Sequence, residues 1–299
     1  MSNKGFSKWA FLMLWIAAII WGFAFVAQRA GMKYIGPFTY SGIRFLLGSL
    51  SLLPLLYYEQ TKKKKAEVIF KFSKAKTLAL GVSVGLVLFA AASLQQVGLV
   101  YTSAGKAGFI TGFYVVLVPI IGIFLGQKIT RFLWIGTLLA LTGLYFLTIS
   151  GSIHITYGDF LILLCAFFWA FHVQIINALV KNISPILLSV IQFTTCGILS
   201  LIVAFSFETI SLQSIYDATI PILYGGLLSV GVAYTLQVVA QQYVQPAHAS
   251  LILTFETVFA VIGGWLILHE KLTLQNLIGC AFMLAGLMLV QLTDKKKLT

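Results

Sequence analysis

The sequence has very few charged residues: only 9% of its 299 residues are Asp, Glu, Lys or Arg, and 60% are apolar. A soluble domain ordinarily carries about 25% charged and 45–50% apolar residues. So few charges cannot cover a water-facing surface of this size, which excludes a soluble globular protein. The apolar residues form runs of about twenty, each long enough to cross a hydrocarbon core of ~30 Å as a helix.

Cysteines are also scarce, and motifs for catalysis are missing. Cys165, Cys196 and Cys280 lie in apolar runs without the spacing of a metal or redox site, so we interpret them as packing residues. The sequence contains no HExxH, GxSxG or Walker motif and no cluster of metal ligands. We therefore expect no enzymatic activity, no cofactor and no metal. The loops are too short to hold a soluble ATPase domain.

Acidic residues are outnumbered by basic ones, 8 to 20, which gives a net charge of +12. The lysines concentrate in loops and tails, for example at Lys62–Lys65 and Lys295–Lys297. Such clusters set membrane orientation or attract anionic lipid, and nucleic acid is not an expected partner. Because most Lys and Arg residues fall on the side of the termini, we predict that both termini are cytoplasmic.

The apolar runs predict an all-α integral membrane protein with ten transmembrane helices in the cytoplasmic membrane. The first run follows two lysines as a secretory signal does. It is longer than the apolar part of a signal and lacks a small-x-small cleavage site, so we expect an uncleaved helix. Two longer connections are predicted, the basic loop 59–77 and the segment 208–217. The ten spans are 10–29, 37–58, 78–100, 104–126, 131–150, 158–180, 185–207, 218–240, 246–268 and 273–293.

The sequence repeats itself once, which divides it into halves at 1–150 and 151–299. Aligned pairs include Trp21 with Trp169, Pro37 with Pro185, Phe45 with Phe193, Gln95 with Gln237, Thr111 with Thr254, Gly136 with Gly279, and Gly143 with Gly286. Each half holds five predicted spans, an odd number, so the second half enters the membrane in the opposite orientation. Inverted repeats of this kind place a binding site near the bilayer midplane and move around it.

Several of these residues resemble the EamA branch of the drug/metabolite transporter (DMT) superfamily. The similar segments are Trp21–Phe23, Arg44–Leu46, Gly158–Asp159, Trp169–Ala170, Thr254–Glu256, His269–Leu272, Gly279 and Gly286. The resemblance implies two inverted five-helix repeats around a central cavity. It also implies transport of amino acids, amines or other metabolites, often outward and often coupled to an ion gradient. Two positions differ from the family pattern: Thr257 replaces a frequent proline, and Gln127 replaces a glutamate that would match Glu270.

Ionisable residues inside spans are few, and each normally faces a cavity or a partner. Glu256 lies ~15 Å into its span, near the midplane. It is either a proton-coupling carboxylate or ligand for a substrate amine, or a buried acid that caps an irregular helix. Arg44 lies ~10 Å below the outer surface and could bind a substrate carboxylate, pair with Glu256, or tie two helices together. Its repeat mate is Gln192, and His172 is a second candidate for proton coupling.

Aromatic and amide side chains complete the predicted site. Trp21 and Phe25 share one helix face, and Trp169 and His172 share the corresponding face in the second half. These faces would wall a cavity or simply pack in the core. Gln95 and Gln237 are expected to line the same cavity. Lys106 either steers anions at a cavity mouth or extends its amine to the membrane surface.

We therefore predict a secondary transporter that exports small polar metabolites such as amino acids or amines. Its expected partners are a small-molecule substrate and the lipid bilayer. A homodimer and a monomer both fit the sequence. One alternative is a lipid flippase in which Lys106 and Arg44 hold a phosphate group. A second is a membrane subunit or receptor that transports nothing.

Overall fold

The computed structural model describes residues 4–63, 73–102, 104–148, 156–268 and 273–296. All regular secondary structure within these ranges is helical. The predicted boundary between the halves at 150/151 and the motif His269–Leu272 lie outside the described residues, as do residues 64–72 of the basic loop.

The first half forms six α-helices, of which two share one predicted span. They are α1 (Lys4–Gly31), α2 (Pro37–Lys63), α3 (Lys74–Tyr101), α4 (Ala104–Gly112), α5 (Tyr114–Phe124) and α6 (Arg131–Thr148).

The second half forms eight α-helices and one π-helix. They are α7 (Tyr157–Leu179), α8 (Pro185–Phe207), α9 (Leu212–Asp217), α10 (Thr219–Leu223), the π-helix (Tyr224–Tyr234), α11 (Thr235–Ala240), α12 (Pro246–Leu253), α13 (Glu256–Leu268) and α14 (Leu274–Lys296).

The prediction of a multi-pass helical membrane protein is confirmed. Among the described residues, eight stretches of helix are long and apolar enough to cross a bilayer. Two shorter apolar helices, Arg131–Phe146 and Leu274–Val290, correspond to the other two predicted spans. Many of the large side chains on the outer surface are apolar, including Leu50, Phe205 and Met288, as expected where lipid rather than water is the solvent.

One predicted connection was wrong in its bounds. The loop 59–77 is shorter than predicted, because α2 continues to Lys63 and α3 begins at Lys74. The hydroxyl of Ser73 accepts a hydrogen bond from the Lys76 N–H and so caps the start of α3. The other predicted connection, 208–217, lies between the end of α8 at Phe207 and the start of α10 at Thr219, as predicted, and most of it forms the short helix α9.

Two predicted spans are interrupted in the middle. The span 104–126 breaks at Phe113, between α4 and α5, and the span 246–268 breaks between α12 and α13. Both breaks contain tighter i→i+3 hydrogen bonds, including Phe113 N–H to the Ile110 carbonyl and Thr257 N–H to the Thr254 carbonyl. The break in the second half ends at Glu256, which is the first residue of α13.

The predicted span 218–240 is not one α-helix. It contains α10, the eleven-residue π-helix and α11 in series. A π-helix bonds i→i+5 and usually occurs as a single turn at a functional position. The length of this one marks a local irregularity that apolar periodicity could not reveal.

Equivalent helices of the two halves pack against each other. Between α6 and α14, a Cβ on Gly143 would meet the Gly279 carbonyl oxygen, and a Cβ on Gly286 would meet the Gly136 carbonyl oxygen. Because residue numbers rise along one helix as they fall along the other, the two helices are antiparallel. Phe45 and Phe193 make the corresponding contact between α2 and α8, with ring centroids 6.2 Å apart.

An acid from the second half fixes the start of α2. The carboxylate of Glu208 accepts hydrogen bonds from the backbone N–H groups of Phe38 and Thr39, each at 2.8 Å. It also accepts the Thr39 hydroxyl at 2.6 Å. A carboxylate at a helix N-terminus satisfies unpaired N–H groups and interacts favourably with the helix dipole. This contact positions α2, the helix that carries Arg44.

Candidate functional site

One pocket lies among helices from both halves and contains about 500 Å³ of space not filled by atoms. Seven of the predicted site residues line it: Trp21, Phe25, Arg44, Gln95, Trp169, Gln237 and Glu256. The first four come from α1, α2 and α3, and the others come from α7, α11 and α13. The fold therefore brings together residues that lie more than 200 positions apart in the sequence.

Arg44 is buried, with 2% of its surface exposed, and lies among aromatic rings. Its guanidinium carbon is 5.3 Å from the centre of the Tyr40 ring and 4.9 Å from that of Phe45. Such contacts stabilise a desolvated cation without neutralising it. The Nε of Arg44 has no hydrogen-bond partner among the described residues. The side chain thus retains its capacity to bind an anionic group.

Glu256 reaches the pocket because its span is broken. It occupies the first turn of α13, where the helix dipole favours negative charge. Only 5% of its surface is exposed. Gly22 of α1 packs directly against this turn, where an added Cβ would overlap Phe259 and crowd the Glu256 carbonyl. The small residue therefore allows α1 to approach the broken helix.

Arg44 and Glu256 do not neutralise each other. Both line the pocket, but no ion pair within 4.0 Å joins them or connects either one to another residue in the described part of the chain. The sequence allowed an Arg44–Glu256 pair, and the structure does not contain it. A basic and an acidic side chain therefore face one pocket, each without an ion-pair partner among the described residues.

The two aligned tryptophans are held differently. Trp169 donates its indole N–H to the Oε1 of Gln95 at 2.8 Å, and Gln95 in turn donates its Nε2 to Gln28 at 3.2 Å. Trp21 donates its indole N–H to the backbone carbonyl of Ser229, in the π-helix, at 3.2 Å. Both rings are thereby fixed as walls of the pocket.

Tyr234 is the most important site residue that sequence reasoning missed. Its ring packs edge-on against Trp21, with centroids 4.6 Å apart, and stacks on Trp169 at 5.9 Å. Its repeat mate is Ala92, so alignment of the halves gave no signal. The other lining residues that were not predicted as site residues are Gln28, Thr111, Tyr114, Val173, Ser229 and Leu253. The repeated Thr111/Thr254 pair is the signal that could have indicated Thr111.

Two predicted residues lie behind the pocket rather than on its wall. His172 is fully buried and shares a 2.7 Å hydrogen bond between its Nε2 and the Oε1 of Gln192. The His172 ring also contacts Trp169 edge-on, with centroids 5.8 Å apart. His172 and Gln192 therefore support the aromatic wall and do not line the pocket.

Lys106 is separated from the pocket. Its amine forms an ion pair with the carboxylate of Asp159, at the start of α7. Asp159 also accepts the Thr102 hydroxyl at 2.7 Å and the Thr156 backbone N–H at 2.7 Å. Neither predicted role of Lys106, anion steering or simple extension to the surface, included this pairing. The ion pair ties α4 of the first half to α7 of the second.

The arrangement supplies groups that can bind a small molecule. A guanidinium and a carboxylate supply opposite charges, and the rings of Trp21, Trp169 and Tyr234 supply flat apolar surfaces. No group of three or more His, Cys, Asp or Glu side chains within the described ranges could hold a metal ion. Buried polar groups around an aromatic-walled pocket are typical of a ligand site.

Comparisons with known proteins show what the chain is similar to. The sequence model described as the EamA-like transporter family matches residues 8–149 and 156–292. An uncharacterized transporter of Archaeoglobus fulgidus is 31% identical over 95% of this chain and 86% of its own length. The uncharacterized transporter YoaV of Bacillus subtilis is 25% identical over 93% of this chain and 95% of its own.

A solved crystal structure shares the fold. It is 15% identical in sequence, and the two superpose with a TM-score of 0.77 over 97% of this chain and 99% of the other. At this identity the likeness shows the fold alone. The family match over nearly the whole sequence and the 31% identical relative confirm the resemblance that the motifs predicted. The chain belongs to the EamA-like transporter family, a branch of the drug/metabolite transporters.

Proposed function

We propose that this membrane transporter carries small zwitterionic metabolites, such as amino acids, across the cytoplasmic membrane. The observation that carries the proposal is that Arg44 and Glu256 line one pocket and that neither forms an ion pair among the described residues. A substrate carboxylate would bind the guanidinium of Arg44, and a substrate ammonium group would bind Glu256. Each buried charge then acquires its partner only when the substrate is bound.

Transport by alternating access follows from the proposed arrangement of the halves, with ten spans in two inverted repeats and both termini in the cytoplasm. The antiparallel contact of α6 with α14 supports this arrangement, because Gly143 and Gly286 are repeat mates and make equivalent contacts. The family match over 8–149 and 156–292 divides the chain at the same place. Inverted halves around a midplane site can expose it to either side in turn.

Proton coupling rests on Glu256. A carboxylate that binds the substrate's ammonium group in one step could bind a proton in the return step, so that the site is never left with an unpaired buried charge. His172 is a weaker candidate because it lies behind the aromatic wall, bonded to Gln192. The proposed direction is export, driven by protons that move inward.

A flux assay tests the function directly. Liposomes that contain the purified protein are loaded with a mixture of amino acids and their singly charged analogues. For each amino acid these are the amine that lacks the carboxylate and the carboxylic acid that lacks the ammonium group. We expect the zwitterions to leave faster than either singly charged analogue, and to leave faster still when the pH gradient favours inward proton movement. If none of these compounds shows protein-dependent flux, the proposal is overturned.

Matched variants separate the two charges from general effects. We expect Arg44→Gln and Glu256→Gln each to lower zwitterion flux, whereas Arg131→Gln and Asp217→Asn, which change charges outside the pocket, leave it unchanged. Glu256→Gln should also make any residual flux independent of pH gradient. Flux that ignores the gradient in both the wild type and Glu256→Gln would remove the coupling claim and leave the transport claim standing.

The lipid flippase alternative is not supported by the arrangement of the charges. It required Lys106 and Arg44 to hold one phosphate group, but Lys106 is bonded to Asp159 and does not line the pocket that contains Arg44.

A further inference from the structure

The two pocket tryptophans are repeat mates, yet their indole N–H groups bond to different kinds of partner. Trp169 is held by a side chain, the amide of Gln95. Trp21 is held by a backbone carbonyl, that of Ser229. If the halves had the same conformation, Trp21 would be held by the repeat mate of Gln95, which is Gln237.

Gln237 is close enough to take that role but does not have it. It lines the same pocket as Trp21, and Tyr234, one turn earlier, contacts the Trp21 ring. Only 2% of the Gln237 surface is exposed, and its Oε1 has no hydrogen-bond partner among the described residues. One of the two aligned amides therefore lacks the hydrogen bond that the other makes. An unsatisfied buried acceptor of this kind is unfavourable.

The π-helix accounts for the difference between the halves. It ends at Tyr234, three residues before Gln237. The aligned segment of the first half, residues 82–92, is regular α-helix within α3. Because a π-helix takes more residues per turn than an α-helix, it presents the following residues on a different face. The same distortion offers the Ser229 carbonyl to Trp21 in place of the Gln237 amide.

We propose that Gln95 and Gln237 are exchanging positioning residues, each of which holds its tryptophan in one of the two facing states. In the state described here, Gln95 holds Trp169 and Gln237 is unbonded. In the opposite-facing state the segment 224–234 winds as an α-helix, Gln237 accepts the Trp21 N–H, and Gln95 releases Trp169. This inference rests on the proposed alternating access of inverted halves.

The exchange keeps the two states close in energy. Each state contains one Gln–Trp hydrogen bond and one unsatisfied glutamine acceptor, so the contributions of the two glutamines largely cancel. A transporter needs two facing states of similar free energy, because a site that always faces one side of the membrane cannot release substrate on the other. The two glutamines would therefore stabilise opposite states, although the halves' sequences align them as equivalents.

Side-selective labelling of a pocket cysteine tests the exchange. The reporter is Val173→Cys, on the pocket wall, in a protein whose Cys165, Cys196 and Cys280 are replaced by alanine. A membrane-impermeant maleimide is added to right-side-out or inverted vesicles, and the ratio of the two labelling rates reports the balance of facing states.

The two substitutions are expected to move this ratio in opposite directions. Gln95→Ala removes the bond of the present state and favours the opposite-facing one. Gln237→Ala removes the bond of the opposite-facing state and favours the present one. Each shift should be roughly five-fold, as for the loss of one buried hydrogen bond, and the double variant should return close to the reporter protein. Gln95→Met and Gln237→Met, which preserve side-chain length, give the same signs if an alanine variant fails to fold.

Gln96→Ala is the matched control, because Gln96 is a fully buried amide next to Gln95 whose side chain has no hydrogen-bond partner among the described residues. It should leave the ratio unchanged, and a shift equal to that of Gln95→Ala would overturn the proposal. Gln95 and Gln237 variants that shift the ratio in the same direction, with flux retained, overturn the exchange and leave the transport function standing. Labelling from one side only, together with no flux, overturns both.

Discussion

The two broken spans have the same backbone interruption but different chemistry. In the first half the helix breaks at Phe113, and in the second half it breaks before Glu256, the residue aligned with Phe113. Each break lies next to an aligned threonine, Thr111 or Thr254, and Thr254 donates its hydroxyl to the Ser250 carbonyl one turn earlier. Phe113 at the first break packs against the apolar core, whereas Glu256 at the second break lines the pocket.

The comparison shows that scaffold and site follow different rules. Packing at the crossing of α6 and α14 uses aligned residues of both halves, since Gly143 and Gly286 each approach a glycine carbonyl of the facing helix. The features that define the proposed substrate, such as Arg44 and Glu256, occur once each, because their aligned residues are Gln192 and Phe113. Aligned packing residues therefore surround a pocket whose charged residues are not repeated. We expect substitutions at two aligned packing residues to have equal effects, and substitutions at two aligned pocket residues to have unequal effects.

The largest expected difference is at the two breaks. We expect Glu256→Gln to lower zwitterion flux by roughly 100-fold, because the loss of one partner of a buried charge pair costs about 2–5 kcal/mol. Phe113→Leu, at the aligned position, should lower it less than about three-fold, since volume-conserving apolar changes cost little. Initial rates in proteoliposomes measure both. Similar losses in the two variants would show that the break, and not the charge, matters.

Equal effects are expected at the glycine mates. In Gly143→Ala and Gly286→Ala, the new methyl group would meet a carbonyl oxygen of the facing helix at 2.5 Å in each case. Overpacking of this kind typically costs 1–3 kcal/mol, so both variants should unfold at lower temperature than the wild type, and by the same amount. Thermal unfolding in detergent measures the shift. A lower unfolding temperature in only one of the two variants would show that the two aligned glycine contacts are not equivalent.

A smaller and unequal effect is expected at the tryptophans. Trp169→Phe leaves the buried Oε1 of Gln95 without its donor, whereas Trp21→Phe releases a backbone carbonyl whose other lone pair remains available to the helix. We expect Trp169→Phe to be the less stable variant by about 1 kcal/mol. The same thermal assay decides this. Equal stability of the two variants would contradict the assigned hydrogen bonds.

The smallest effect is expected at Gly108, whose mate is Leu251. A Cβ on Gly108 would lie 3.7 Å from the nearest atom, a methyl carbon of Thr257, which is ordinary contact. Alanine also favours a helix over glycine by about 1 kcal/mol. Gly108→Ala should therefore unfold at the same temperature as the wild type or slightly higher. A marked loss of stability would show that the packing of α4 against α13 is tighter than described.

Much of the fold was predictable from the sequence because lipid imposes a strong rule. Spans need runs of apolar residues, and Pro37, Pro185 and Pro246 each begin a helix where they were expected to begin a span. The pocket was largely predictable for the same reason. An arginine or glutamate such as Arg44 or Glu256 is too costly in lipid to face anything but protein or a cavity.

The rest depended on contacts that a single sequence does not display. The π-helix follows no apolar periodicity, so neither its register nor the position of Tyr234 could be inferred. The pairing of Lys106 with Asp159 joins two helices whose adjacency was not known. Gln95 and Gln237 looked equivalent by alignment, and only the coordinates show that one amide bonds a tryptophan and the other does not.

The central claim is that Arg44 and Glu256 bind opposite ends of one substrate, and calorimetric binding tests it most directly. The ligands are the amino acid with the fastest measured flux and the amine that lacks only its carboxylate. Arg44→Gln should weaken binding of the amino acid by roughly 30-fold or more and leave binding of the amine within about two-fold. The amine already lacks the carboxylate that Arg44 is proposed to bind, so the substitution has no interaction with it to remove. An equal loss of affinity for both ligands would contradict the account.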